Sequence, residues 1–199
     1  MKLILVRHGE TTGNSAERYW GATDLALSEV GQAQAERLSR RLSAETIDAA
    51  YASNLKRAVS TAEAIVGDGP ITRCAELNEV NFGALEGLSI EEIRAGYPDF
   101  YRSWLRWDGE LRFPGGESTA EFIDRVSGFV ERLRPHRPEE TVLVVAHAGT
   151  LRMLICTLLD LGLPYWRKMR LELASVSVVE MMAQGGVLTC LNDTSHLKK

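Results

Sequence analysis

With only three cysteines in 199 residues, Cys74, Cys156 and Cys190, the chain has too few thiols, too widely spaced, for a disulfide framework or a cysteine metal cluster. Cys156 and Cys190 stand in apolar runs and read as small buried hydrophobes. No apolar run reaches the roughly 20 residues of a membrane span. Nor does a charged region with an apolar stretch and cleavage site precede the first strand. Charge of one sign is scarce too: at a net −4 there is no electrostatic draw toward nucleic acid or an anionic membrane. A cationic site must therefore be local, built by a few arginines against a mildly acidic background. Repeats and low-complexity segments are missing as well. What remains is an ordinary soluble composition, read as one domain over residues 1–199 in a reducing cytoplasm.

The apolar pattern gives the order of elements. Lys2 to Val6 reads as a buried strand, followed by a polar loop through Asp24. Ser28 is an N-cap for a helix that sends Val30, Ala33, Leu38 and Leu42 inward. Asp48 to Ala52 is a short strand, and the next helix carries Leu55, Ala58, Val59, Ala62 and Ile65 on one face. Residues 67–116 are irregular apart from a short helix at Ile90–Ala95. Tyr97, Phe100, Tyr101, Trp104, Trp107 and Phe113 gather there beside Pro114-Gly115-Gly116, suggesting an insertion or lid at about 77–117. Ser118 or Thr119 opens a helix to about Leu133, Thr141 to Ala146 is a strand apolar on both faces, and a helix runs from Thr150 to about Leu159. Ser175–Met182 and Val187–Asn192 flank a Gln184-Gly185-Gly186 turn as a hairpin.

Strands alternating with helices imply an α/β fold, a three-layer α/β/α sandwich around a mainly parallel sheet. In such sheets ligands bind beyond the carboxyl ends of the strands. Arg7-His8 and Ala146-His147 stand at two such ends, and Arg57 opens the helix after the second strand. Two histidines and two arginines without a metal-ligand partner set make an anion site. The guanidinium fork matches phosphate oxygens, and a neutral imidazole can attack phosphorus. A leaving group then needs an acid, and Glu76, Glu79 and Glu86 all compete on pattern alone. His136 reads as surface, and His196 as an exposed tail residue.

Leu5-Val6-Arg7-His8-Gly9-Glu10-Thr11 resembles the signature of the histidine phosphatase superfamily, phosphoglycerate mutase-like branch. Leu55-Lys56-Arg57-Ala58 with Thr61 resembles its second arginine motif. The stretch from Leu77 through Glu79, Phe82-Gly83 and Glu86-Gly87 resembles its acid motif, and Val145-Ala146-His147-Ala148-Gly149 its second histidine motif. The resemblance covers essentially the whole chain in order. It implies that His8 becomes a phosphohistidine and that Arg7, Arg57 and His147 hold the phosphoryl oxygens. Glu79 would protonate the leaving group and then activate water. Asn14, Gly21 and Ala148 are implied substrate contacts, and no metal or cofactor is implied.

The family holds hydrolases and mutases. Mutases place Glu-Arg-His-Tyr-Gly in the acid motif, then a lysine, to hold a substrate carboxylate. Here Val80, Asn81, Phe82 and Ile90 stand instead, and Gly149 replaces an asparagine. An unpaired carboxylate in such a pocket would be penalised, which favours a phosphatase. Pro114-Gly115-Gly116-Glu117-Ser118 and Leu191-Asn192-Asp193-Thr194 resemble α-ribazole phosphatases and broad-specificity phosphatases, whereas Trp20 departs from the small or polar residue usual in that loop. The expected partner is a small phosphorylated metabolite such as α-ribazole 5′-phosphate, met by a monomer or homodimer. Exposed edge strands or the Tyr165-Trp166 region would support a dimer. Mutase or fructose-2,6-bisphosphatase activity is the alternative within the family. A non-catalytic phosphoryl-binding module is the alternative outside it, but such a module should have lost at least one catalytic position.

Overall fold

The computed structural model describes residues 1–13, 18–106 and 111–198. Asn14 and Trp107, both singled out above, lie outside the described residues. The strands are β1 (Lys2–Arg7), β2 (Ala49–Ser53), β3 (Thr72–Cys74), β4 (Thr141–Ala146), β5 (Val176–Met182) and β6 (Gly185–Asp193). The α-helices are α1 (Glu29–Leu42), α2 (Lys56–Val66), α3 (Ile90–Gly96), α4 (Pro98–Arg106), α5 (Thr119–Leu133) and α6 (Ala148–Leu158).

The strands form one sheet in the order β3-β2-β4-β1-β5-β6, with parallel pairing from β3 through β1. β5 runs antiparallel to β1 and to β6, so it alone points the other way. The central strands are apolar on both faces because both faces are covered. Ile4 and Val6 pack with Leu38 and Leu42 of α1 and Ala58 and Ala62 of α2. Leu3 and Leu5, pointing the opposite way, pack with Phe122 and Phe129 of α5 and Leu151 and Leu154 of α6. These are the two outer layers of the expected sandwich.

Helix starts follow the capping signals. Ser28 accepts from the Gly31 backbone, and Ser89 and Ser118 each complete a capping box with Glu92 and Glu121. The inward face of α1 differs from expectation. Val30 is 54% exposed and Ala33 is also exposed, while Gly31, Ala35, Leu38 and Leu42 are buried. The phase is set at Gly31, where an added Cβ would lie 2.0 Å from the Glu10 carbonyl.

The supposedly irregular stretch contains α4, which begins at Pro98, a residue preset for a first helical turn. Phe100 and Trp104, one turn apart on α4, pack against each other with ring centroids 5.7 Å apart. α6 starts two residues earlier than expected, for a reason that belongs to the site described below. Cys156 is buried as expected, but Cys190 on the edge strand is only half-buried. His136 is not a surface residue. Its ring is wedged between the Tyr51 hydroxyl at 2.9 Å and the Glu140 carboxylate at 2.6 Å. His196 is half-buried too, 3.0 Å from the Ala174 carbonyl, and Ala174 in turn donates to the His8 carbonyl.

Candidate active site

Three neighbouring strands deliver the site. Arg7 ends β1 beside Ala146 ending β4, so His8 and His147 leave adjacent strands side by side, and Ser53 ends β2 on the other flank. The His8 and His147 rings meet edge to face with centroids 4.9 Å apart. His8 is 6% exposed, Arg57 1% and His147 0%, a density of buried polar groups that folding tolerates only when they are bonded.

Their hydrogen bonds decide the tautomers. His8 Nδ1 lies 2.7 Å from the Gly9 carbonyl, which can only accept, so Nδ1 carries the proton. Burial, then the charges of Arg57 and Arg7, holds the His8 pKa well below the ordinary value. The ring is therefore neutral and its Nε2 bears a free lone pair. Arg57 Nε donates to His147 Nδ1 at 3.1 Å, so the His147 proton must be on Nε2, which donates to the Ser53 hydroxyl at 2.8 Å. The Ser53 hydroxyl in turn donates to Asn78 Oδ1 at 2.8 Å. Burial, then Arg57, likewise lowers the His147 pKa well below the ordinary value.

Arg57 also donates Nη1 to the Thr23 carbonyl at 2.7 Å and Nη2 to the Gly21 carbonyl at 2.6 Å. Three of the five guanidinium N–H groups are thus spent on aim, and two remain for a ligand. Gly21 therefore serves Arg57 through its carbonyl, and a Cβ there would lie 1.7 Å from the Val80 carbonyl. Arg7 donates to the Leu171 carbonyl at 2.6 Å while its Nε is buried without a partner among the described residues. Burial lowers the Arg7 pKa to about 10, with Glu79 opposing, which leaves it charged at neutral pH.

Geometry separates the three glutamates that pattern left open. Glu76 pairs with Arg132 at 2.7 Å. Glu86 accepts from the backbone of Gly21, Ala22, Thr23 and Phe82 and from the Thr23 hydroxyl, clamping the loop whose carbonyls hold Arg57. Glu79 alone reaches the cavity. Its Oε2 accepts from Gly149 N at 2.9 Å, and its Oε1 from Val80 N and Thr150 N. Those bonds explain the early start of α6: Glu79, distant in sequence, caps the helix where His147 does not. Gly149 is needed there, because a Cβ would lie 2.5 Å from Glu79 Oε1.

A cavity of about 400 Å³ adjoins this set. Arg7, Glu79, Ala148 and Gly149 line one side, and Tyr19, Trp20, Phe82, Trp104, Phe113 and Trp166 supply aromatic walls. Trp20 is fixed by donating to the Gly13 carbonyl at 2.9 Å, with its ring against Gly87. Trp166 donates to the Gly149 carbonyl and lines the cavity, while Tyr165 is exposed.

Sequence reasoning missed Ser53, Asn78, Arg125 and Arg152. Arg125 on α5 spans the carbonyls of Glu76 and Asn78 and pairs with Glu117 at 2.8 Å, tying the Glu79 segment down. Arg152 lines the cavity, a cation that comes from outside the acid motif. Its signal was its place one turn into the helix that His147 precedes. Among the described residues no cluster of three or more histidine, cysteine or acidic side chains is placed to hold a metal. No helix among them is long and apolar enough to cross a membrane.

Residues 3–194 match the family described as Histidine phosphatase superfamily (branch 1). The chain is 38% identical to Phosphoserine phosphatase 1 of Hydrogenobacter thermophilus, over 99% of this chain and 94% of that one. It is 34% identical to the Metal-independent phosphoserine phosphatase of Arabidopsis thaliana, over 98% of this chain and 83% of the relative. The alpha-ribazole phosphatase from Shigella flexneri superposes with a TM-score of 0.89 at 29% identity, covering 97% of this chain and 96% of its own.

Proposed function

The chain belongs to the histidine phosphatase superfamily, branch 1, and is a phosphatase; we propose that it hydrolyses small phosphomonoesters, without a metal, through a phosphohistidine on His8. The observation that carries this reading is the His8 tautomer. Because Nδ1–H is committed to the Gly9 carbonyl, Nε2 is the nucleophile, and the same carbonyl stabilises the positive charge that grows on the ring as the N–P bond forms.

Arg7 and the two unspent N–H groups of Arg57 hold the non-bridging oxygens. His147 has both nitrogens engaged and its proton on Nε2, so an arriving phosphoryl oxygen accepts from Nε2–H in place of Ser53. Glu79 Oε1 accepts from the backbone of Val80 and Thr150, while the Thr150 hydroxyl gives its one proton to the Asn78 carbonyl at 2.8 Å; Oε2 accepts from Gly149 N. The proton given to the departing alkoxide is therefore carried on Oε2, and the same oxygen then draws a proton from the water that attacks phosphohistidine.

The physiological substrate is a small phosphorylated metabolite, with phosphoserine and α-ribazole 5′-phosphate as the leading candidates from the relatives' activities. The absence of the mutase cations at Val80, Asn81 and Phe82 supports hydrolysis over phosphoryl return to a phosphoglycerate. Turnover of p-nitrophenyl phosphate with and without EDTA tests the reading: chelator-resistant hydrolysis that His8→Ala abolishes supports it. Wild-type protein inert toward every phosphomonoester offered would refute it.

A further inference from the structure

Four arginines line the cavity, Arg7, Arg18, Arg152 and Arg167, and they differ in how they are spent. Arg18 pairs with Glu92 at 2.7 Å, and Arg167 donates to the Trp104 carbonyl at 3.0 Å. Arg7 belongs to the phosphoryl end beside His8. Arg152, away from that end, shares with Arg7 a buried Nε that has no hydrogen-bond partner among the described residues. Its guanidinium carbon lies 5.9 Å from the centroid of the Trp166 ring, which is itself pinned to the Gly149 carbonyl. A stacked, half-buried guanidinium with an unanswered buried N–H is costly unless a ligand completes it.

The position of Arg152 says which part of the ligand that is. It rises from the first turns of α6, whose N-terminus holds the Glu79 carboxylate, the group assigned to the leaving-group oxygen. Resting on that assignment, we propose that Arg152, stacked on Trp166, binds a carboxylate carried by the leaving group. Phosphate esters of hydroxy acids or hydroxy amino acids are then the preferred substrate class. The guanidinium fork matches a planar carboxylate with two parallel bonds.

The test compares kcat/KM for 3-phosphoglycerate and glycerol 3-phosphate, which differ by carboxylate against hydroxymethyl, and for fructose 1,6-bisphosphate and fructose 6-phosphate. Wild-type enzyme is expected to favour 3-phosphoglycerate, and Arg152→Gln to cut that ratio about 10- to 100-fold, mainly through KM. Arg152→Lys should recover part of it. A ratio near one in the wild type, a ratio unmoved by Arg152→Gln, or an Arg152-dependent preference only within the fructose pair would overturn the proposal. Loss of p-nitrophenyl phosphate hydrolysis by wild-type protein would strike the phosphatase reading instead, so the two failures are separable.

Discussion

Replacing Glu86 by glutamine separates the clamp from the acid. The Glu86 Oε2 accepts from Gly21 N at 3.0 Å, Thr23 N at 3.2 Å and the Thr23 hydroxyl at 2.7 Å, while Oε1 accepts from Ala22 N at 2.9 Å and Phe82 N at 3.1 Å. Glutamine keeps one oxygen, so two or three of these five bonds are lost and an NH2 group is turned toward N–H donors. Bonds to a charged acceptor are worth about 1.5–3 kcal/mol each. Ala22 is exposed and Thr23 half-buried, so water replaces part of the loss, leaving about 2–4 kcal/mol. For a chain of this size that lowers Tm by roughly 5–15 °C. The loosened loop also frees the Gly21 and Thr23 carbonyls that aim Arg57, which should cost about 100-fold in kcat/KM. The assay is a series of aryl and alkyl phosphates with leaving groups of rising pKa. Glu86→Gln should lower all rates by the same factor, whereas Glu79→Gln should hurt poor leaving groups most. A wild-type Tm in Glu86→Gln, or a deficit that grows with leaving-group pKa, would refute the assignment of roles.

Gly149→Ala should dislodge the Glu79 carboxylate, whose Oε1 lies 2.5 Å from the new Cβ, without disturbing the core. The expected result is a kcat about 10-fold lower on alkyl phosphates, with a Tm lower by roughly 2–8 °C for the lost cap of α6, read by steady-state kinetics and calorimetry. His8 and His147 are buried and neutral, with folded pKa values well below the unfolded value of about 6.5. Unfolding therefore takes up protons below that value, so their contribution is intact above pH 6.5 and lost as pH falls. From pH 7.5 to 5.5 the loss should approach about 1.4 kcal/mol per histidine, seen as a falling Tm that a His8→Asn variant shows less steeply. kcat/KM should show no acid limb from His8 in that range.

The buried strands and the helix starts were legible because their causes are local. β1 and β4 are continuous apolar runs, and Ser28 and Ser118 cap the helices they announce. The face of α1 was not legible, since Gly31 sets it by touching the Glu10 carbonyl across the fold. α4 was hidden because Phe100 and Trp104 read equally well as a loose aromatic cluster or as one helix turn. At the site, the convergence of Arg7, His8, Arg57 and His147 follows from strand ends and could be read in advance. Which glutamate meets α6 could not, because Glu76, Glu79 and Glu86 are distinguished only by what lies opposite them: Arg132, Gly149 and the 21–23 loop. Arg152 was not legible because its place at the cavity depends on Trp166, which the fold brings over α6 from later in the chain.

The central claim is a phosphoryl group on His8 Nε2. Rapid mixing with p-nitrophenyl phosphate, an alkaline quench and peptide mass spectrometry measure it directly. A phosphate on the peptide containing His8, labile to acid, stable to base and absent from His8→Ala, is the predicted result. Single-turnover hydrolysis at full rate with no such adduct, or the adduct on another residue, would contradict it.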